Sequence, residues 1–269
     1  MQDTAQSKIA VEAISKRFDD VLAVDNVDIG IASGEFVTLV GPSGCGKSTL
    51  LYMIGGFVTP TSGRLFADGK PITKPGVDRG IVFQEYALFP WLTVYQNIAY
   101  GLQMKGCSPD EERETVARYI DLIGLNGFES RFPRELSGGM KQRVALARTF
   151  CYGPDILLLD EPFGALDSQT REIMQDELLR LWRTTGKTIL MVTHDVSEAV
   201  YLSTRVCVMS RRPGRIVEEF PIDLDRGGAR ESIVLSQAYT DLHNKVWLSV
   251  RRQVLVQPDQ ALVQQDARS

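Results

Sequence analysis

Gly41-Pro42-Ser43-Gly44-Cys45-Gly46-Lys47-Ser48 sits between the apolar run Phe36 to Val40 and the stretch Thr49 to Ile54, and no other octet in the chain says as much about architecture. It fits G-x-x-x-x-G-K-[ST], a loop whose backbone N–H groups cradle phosphates at the positive end of the helix that follows. The glycines let the main chain wrap phosphate oxygens, Lys47 reaches the outer phosphates, and the Ser48 hydroxyl suits Mg²⁺. Four fixed positions of this kind arise by chance on the order of once in a hundred chains of similar length. A plain glycine turn before a helix is the competing reading. The buried-type strand before the loop, and a helix from Lys47 to Ile54 ending near Gly55-Gly56, supply the context that phosphate binding requires.

Working outward, Ile9 to Phe36 alternates short β-rich runs with turns at Phe18-Asp19-Asp20 and Ala32-Ser33-Gly34, the pattern of antiparallel strands leading into a sheet. Toward the C-terminus, apolar runs at Ile156 to Leu159, Thr188 to Val192 and Val206 to Met209 alternate with helical stretches Ser168 to Thr185 and Val196 to Leu202. That alternation predicts an α/β fold around a parallel sheet. Between Gln84 and Cys151 the pattern turns helical: Pro109 to Ile123 opens after Ser108 as N-cap, with Pro in first position and acidic residues behind it. Residues of about 85–151 are therefore expected to form an inserted helical subdomain within a domain spanning 1–220. In a tail over 221–269, Val234, Ala238, Leu242, Val246 and Val250 recur every four residues and mark one helix face, and the polar end from Gln257 is expected to fray.

Composition excludes several classes. At 269 residues and 43 % apolar content, the chain can build one large or two modest domains. Thirty Lys and Arg stand against 34 Asp and Glu, for a net charge of −4 and a pI near 5.4, so no basic field draws it onto nucleic acid or anionic lipid. Its apolar runs fall short of the roughly 18 residues of a membrane-spanning helix. Met1 to Lys8 lacks the apolar core of a secretory signal, so the chain is expected to stay in the cytosol. Cys45, Cys107, Cys151 and Cys207 form no C-x-x-C pair and are expected to be free thiols.

Ile156-Leu157-Leu158-Leu159-Asp160-Glu161 reads as a buried strand ending in two carboxylates: Asp160 on the side of a metal, and Glu161, leaving the pleat in another direction, for the attacking water. An acidic helix cap is the alternative for the same pair. Leu136-Ser137-Gly138-Gly139-Met140-Lys141-Gln142 is a second glycine turn opening a helix, and so a second place for an anion. With that segment the sequence resembles the ATPase subunits of ABC transporters, for which L-S-G-G-x-x-Q is the defining signature. The resemblance runs from about Ile9 to Phe220 and includes Gln84 after a strand, Gly164-Ala165-Leu166-Asp167 after Glu161, and His194 after Thr188 to Val192, with no large insertion.

This resemblance implies a P-loop NTPase core of RecA-like type with an antiparallel β-subdomain and the helical insertion, binding and hydrolysing ATP with Mg²⁺. It implies that Phe18 stacks on adenine and that Gly41, Pro42, Ser43, Gly44, Cys45, Gly46, Lys47, Ser48 and Thr49 surround the phosphates. Ser48, Gln84 and Asp160 would hold Mg²⁺, while Glu161, Lys47, Gln84 and His194 would carry catalysis. Ser137, Gly138, Gly139 and Asp167 would belong to the nucleotide site, Ser137 and Gly139 acting on the ATP of a second ATPase subunit in a head-to-tail dimer. From the residues alone, Phe18 is as well explained as a core or turn aromatic. His194 is set apart from His243 by its place at the carboxyl end of a predicted sheet strand, the ligand side of an open α/β fold.

Asp78 to Trp91, D-R-G-I-V-F-Q-E-Y-A-L-F-P-W, clusters aromatics just after Gln84. Burial within the helical subdomain accounts for them, and so does docking of a permease helix, which the resemblance implies for this region. The form L-F-P-W-L-T-V and the short tail are most similar to the nitrate, sulfonate and taurine importer branch. The implied role is the subunit that energises an importer of a small anion, peripheral on the cytoplasmic face of the inner membrane. Its implied partners are transmembrane permease subunits and, indirectly, a solute-binding protein, with no nucleic acid. A soluble ABC-type ATPase of DNA repair or translation, an exporter subunit and a non-catalytic scaffold are the alternatives; the first usually carries two modules or a coiled coil, and the last should lack a residue such as Glu161. An adduct on Cys45, inside the phosphate loop, is expected to collide with nucleotide and to be prevented by ATP.

Overall fold

A computed structural model describes residues 7–84 and 86–255, so the fraying expected from Gln257 lies outside the described residues. The chain opens with an antiparallel hairpin of β1 (Ile9–Phe18) and β2 (Val21–Ile31), closed at Asp19-Asp20. Next comes β3 (Phe36–Val40), which belongs to a different sheet, then the glycine loop and α1 (Lys47–Ile54). Two further strands, β4 (Ser62–Ala67) and β5 (Lys70–Pro71), return to the hairpin and give a four-stranded antiparallel sheet of order β2-β1-β4-β5. The strands of Ile9 to Phe36 thus divide between two sheets, and half of the first is supplied from beyond α1.

The second sheet adds β6 (Arg79–Val82), β7 (Ile156–Asp160), β8 (Thr188–Val192), β9 (Arg205–Met209) and β10 (Ile216–Pro221), in the order β10-β9-β3-β8-β7-β6. Its pairings are parallel except that β10 runs antiparallel to β9. Every residue of β3, β7, β8 and β9 is buried, which is why these strands read as largely apolar runs. The pleat then shares their side chains between two cores. Val37, Leu39, Leu158, Leu190 and Val192 pack with α1 and the antiparallel sheet, whereas Phe36, Val40, Leu157, Leu159 and Met191 face the remaining helices.

Those helices are α2 (Val94–Lys105), α3 (Pro109–Leu122), α4 (Gly138–Tyr152), α5 (Ser168–Thr185), α6 (Val196–Leu202), α7 (Arg230–Val234) and α8 (Gln237–Leu255), with a 3₁₀ turn at Pro133–Glu135. Local chemistry sets their starts. Thr93 and Gln96 form a reciprocal capping box on α2, Ser108 accepts from the Glu111 N–H on α3, and Asp195 accepts from the Ser197 and Glu198 N–H groups on α6. The tail corrects its expected face. A strict four-residue step overruns a helical turn by about 40° each time, so five such positions fan around the axis. The chain breaks between α7 and α8 and Ala238 is exposed; Val234, Leu242, Val246 and Val250 do pack inward, joined by Tyr239 and Ser249. Among the described residues no helix is long and apolar enough to cross a membrane, and all four cysteines are free.

Candidate functional site

The carboxyl ends of the parallel strands and the start of α1 open onto a cleft of about 720 Å³. Its floor is the glycine loop. Gly46 has φ 107°, and a Cβ there would stand 2.8 Å from the Ala23 carbonyl oxygen of β2, so only glycine lets the loop pass under the hairpin. No side chain caps α1, which leaves its first-turn N–H groups to serve an anion. Lys47 is buried along its stem, and its Nζ donates to the carbonyl oxygens of Gly41 (2.8 Å) and Pro42 (3.0 Å). Ser43, Gly44, Ser48 and Thr49 line the same cleft.

Asp160, at the end of β7, is completely buried and accepts from Ser48 Oγ (2.8 Å) and from Tyr52 OH (2.7 Å). Burial pushes its carboxyl above the ordinary range, and the two hydroxyl donors work against that rise. At Glu161 the backbone leaves the pleat in the left-handed region, φ 47°, a strained conformation for a residue with a side chain. It is fixed from both sides: the Glu161 N–H donates to the Val192 carbonyl (2.9 Å), and the Glu161 carbonyl accepts from Gln142 Nε2 (3.2 Å). The carboxylate reaches His194 Nδ1 at 3.2 Å from the turn after β8. Glu161, His194 and Gln84 all line the cleft facing the glycine loop.

Phe18 stands 45 % exposed at the end of β1 on the cleft wall, with Lys16 Nζ 4.8 Å from its ring centre, so it is not a core aromatic. Ser137, Gly138, Gly139 and Asp167 lie outside the residues lining this cleft. Ser137 caps α4, its Oγ accepting from the Met140 N–H, and both it and Gly138 are exposed. Asp167 caps α5, and the Thr170 N–H holds its carboxyl below the ordinary range. Cys45 corrects the sequence expectation of an accessible thiol: the residue is 1 % exposed, its Sγ packs beside Gly41 with Lys47 Nζ 3.8 Å away, and burial raises the thiol. His243 lies on α8, its Nε2 3.3 Å from Ser197 Oγ, and does not line the cleft.

The aromatic segment is divided. Buried Asn97 holds it, accepting from the Phe89 N–H and donating to the Phe89, Leu92 and Thr93 carbonyls. Phe89 is half-buried between Trp91 and Tyr100 with the Arg148 guanidinium over its ring, while Trp91 itself is 70 % exposed.

Three residues at the site carry parts that sequence reasoning did not assign. Tyr52 lies one helical turn beyond Ser48, so the i, i+4 spacing was the available signal for a second donor to Asp160. Gln142 is 2 % exposed and also accepts from the Ala165 N–H (3.0 Å), tying the helix that starts at Ser137 to the segment after β7. Arg212 lines the cleft and donates to the Gly44 carbonyl from Nε (3.2 Å) and Nη2 (3.1 Å), and no local pattern announces it.

Residues 24–164 match the sequence model of the family described as ABC transporter. The chain is 54 % identical over 204 residues to the nitrate import ATP-binding protein NrtD of Synechocystis sp., covering 76 % of this chain and 77 % of that protein. It is 45 % identical over 247 residues to the taurine import ATP-binding protein TauB of Burkholderia pseudomallei, covering 90 % and 95 % respectively. A dimeric ATP-binding cassette solved in a post-hydrolysis state with ADP and Pi superposes with a TM-score of 0.73 at 33 % identity, over 80 % of this chain and 99 % of that one.

Proposed function

The chain belongs to the ABC transporter family, and on that premise we propose that it is the ATP-hydrolysing subunit of an importer for a small anion such as nitrate, taurine or another sulfonate. ATP binding and hydrolysis that energise a transporter come with the family. The small anion rests on the likeness to the nitrate and taurine subunits, and the observation that carries the ATPase site is the convergence on one cleft of Lys47, Ser48, Gln84, Glu161 and His194, drawn from four separate segments.

In this reading Lys47 exchanges its bonds to two loop carbonyls for phosphate oxygens, helped by the N–H groups of α1, while the exposed ring of Phe18 receives adenine. Glu161 orients the attacking water, and His194, paired to it, responds to the outer phosphate. The donor set Ser48, Asp160 and Gln84 is all oxygen and fits Mg²⁺, a hard cation that keeps water and phosphate ligands. Such a set suffices only beside a nucleotide, in keeping with the lack, among the described residues, of any group of three His, Cys, Asp or Glu able to hold a metal alone. Mg²⁺ bound there would neutralise charge on the phosphates.

The exposed start of α4 supports a head-to-tail pair in which Ser137 and Gly139 complete the partner subunit's site. The exposed Trp91 beside Phe89 supports docking of a permease helix at the cytoplasmic face of the inner membrane, with a solute-binding protein delivering the anion from the other side. Glu161→Gln tests the catalytic core: turnover should vanish while ATP stays bound and Mg·ATP drives the chain to a dimer in size-exclusion chromatography. Wild-type turnover, or lost nucleotide binding in a folded variant, would remove Glu161 from this role.

A further inference from the structure

The tail helices reach the turn that carries His194 along a continuous line of hydrogen bonds, buried at its centre. Arg230 of α7 donates from Nη2 to Gln175 Oε1 (2.6 Å), Gln175 Nε2 donates to Glu198 Oε1 (3.2 Å), and Thr193 Oγ1 donates to Glu198 Oε2 (2.8 Å). Thr193 Oγ1 in turn accepts from the Asp195 N–H (3.0 Å), so this line closes the turn on both sides of His194. Gln175, Glu198 and Thr193 are 3 %, 6 % and 2 % exposed, which makes the two bonds to Glu198 contacts that water replaces poorly.

The direction of the line is forced. A guanidinium only donates and a carboxylate only accepts, so Gln175 must turn its oxygen to Arg230 and its amide nitrogen to Glu198. Glu198 must accept on both oxygens. Burial raises its carboxyl, opposed by the Thr193 bond and, more weakly, by the Arg171 guanidinium 4.0 Å away. Arg230 is itself set by Asp176 (Nη1 to Oδ1, 2.7 Å) and by the face of Tyr201, 4.2 Å from its guanidinium.

A second set of contacts falls on the same turn from α8. Tyr239 OH donates to the Ser197 carbonyl (3.3 Å), and His243 Nε2 meets Ser197 Oγ at 3.3 Å. Ser197 is the second residue of α6, whose N-cap Asp195 directly follows His194. Nothing in phosphate chemistry requires a tail helix here, yet two independent elements of the tail converge on this one turn.

We propose that α7 and α8 hold His194 in register for the phosphate chemistry, with Arg230, Gln175 and Glu198 as positioning residues that transmit the tail's placement to the Thr193–Asp195 turn. The proposal rests on the reading of His194 given above. The chain has two histidines, so ¹⁵N-histidine NMR on the untagged full chain reports His194 directly, with His243→Gln used for assignment. Glu198→Gln leaves one of two buried donors without an acceptor, and Arg230→Met cuts the line at its far end. Each should shift the His194 imidazole resonances and lower kcat about tenfold, with the KM for ATP within about twofold.

The exchange Gln175→Glu with Glu198→Gln provides the rescue. The carboxylate at 175 accepts from Arg230 and from the amide at 198, whose carbonyl oxygen still takes the Thr193 hydroxyl. Resonances and kcat should both return toward wild type. Unmoved His194 resonances in both single variants, or an exchange that recovers thermal stability without kcat, would overturn the proposal and leave these residues as core contacts. His194→Ala with wild-type turnover would overturn the reading of the histidine instead, and the coupling would then stand or fall on the resonances alone.

Discussion

Tyr52→Phe isolates one hydroxyl at the most deeply buried charge of the site. The substitution keeps the ring, whose centre lies 5.7 Å from that of Phe83, and removes the 2.7 Å bond to Asp160 Oδ2. Hydrogen bonds to charged groups contribute about 1.5–3 kcal/mol. A loss near 2 kcal/mol corresponds to a fall of about 4–8 °C in Tm for a chain of this size. The pH dependence follows from the direction of the shift. Burial raises the Asp160 pKa in the folded chain, so between the ordinary and the raised value the folded state holds a proton that the unfolded state has released. Stability therefore falls as pH rises through that window, and the full cost of the buried carboxylate is felt above it. Losing a donor increases this cost only where the group is charged, so the Tm gap between Tyr52→Phe and wild type should be widest above the window and narrow toward acid. Thermal melts of nucleotide-free protein across pH measure it. Tyr119→Phe is the control: its hydroxyl donates to the neutral Phe150 carbonyl (3.1 Å), so its loss of about 1 kcal/mol should not change with pH. Equal gaps at all pH values for Tyr52→Phe, or no gap at all, would show that its hydroxyl does not stabilise a charged Asp160.

Thiol titration of the native protein should modify half-buried Cys107 first, with Cys45, Cys151 and Cys207 reacting only on unfolding, since burial pushes the Cys151 thiol up to about 12 and raises the other two as well; fast, ATP-protected loss of activity that Cys45→Ser abolishes would mean that the loop opens more readily than its packing indicates. Trp91→Ala should leave Tm within about 3 °C and basal turnover intact, because the ring is 70 % exposed, yet weaken capture by permease-containing membranes by about 2 kcal/mol, near thirtyfold; unfolding of the free subunit would return Trp91 to the core. Ser137→Arg should spare ATP binding, and mixing it with Lys47→Ala subunits should restore activity through the one undamaged pair of loops in each heterodimer, an outcome that a site built within one chain would not give.

Much of the catalytic sheet was legible because strands buried on both faces write themselves as apolar runs, and β7 and β8 end where the carboxylates and the histidine begin. Helix limits were sharp where a cap was spelled out, as at Ser108, Asp167 and Asp195. The completing strands of the antiparallel sheet were hidden because β4 alternates only over Leu65, Phe66 and Ala67. The left-handed turn at Glu161 was illegible for another reason: glutamate carries no preference for it, and the Gln142 and Val192 contacts that impose it come from other elements. Arg212 is likewise a product of tertiary placement, brought to Gly44 from the far end of the chain.

Because β3, β7, β8 and β9 are apolar on both faces, hydrophobic burial does little to say how far one strand should slide along its neighbour; a slip by one residue would merely exchange the two cores. The alignment must be keyed by polar groups that have one correct mate. Side chains make such matches at three places: Asp160 at the end of β7 with Ser48 and Tyr52 of α1, the hydroxyl pair of Thr38 with Ser203, and Arg205 of β9 locked to Glu35. The first of these ties β7 to the helix that follows the glycine loop. The candidate ATP site thus doubles as a notch by which the sheet finds its alignment, and damage to that match would be felt as misfolded chains as well as lost turnover.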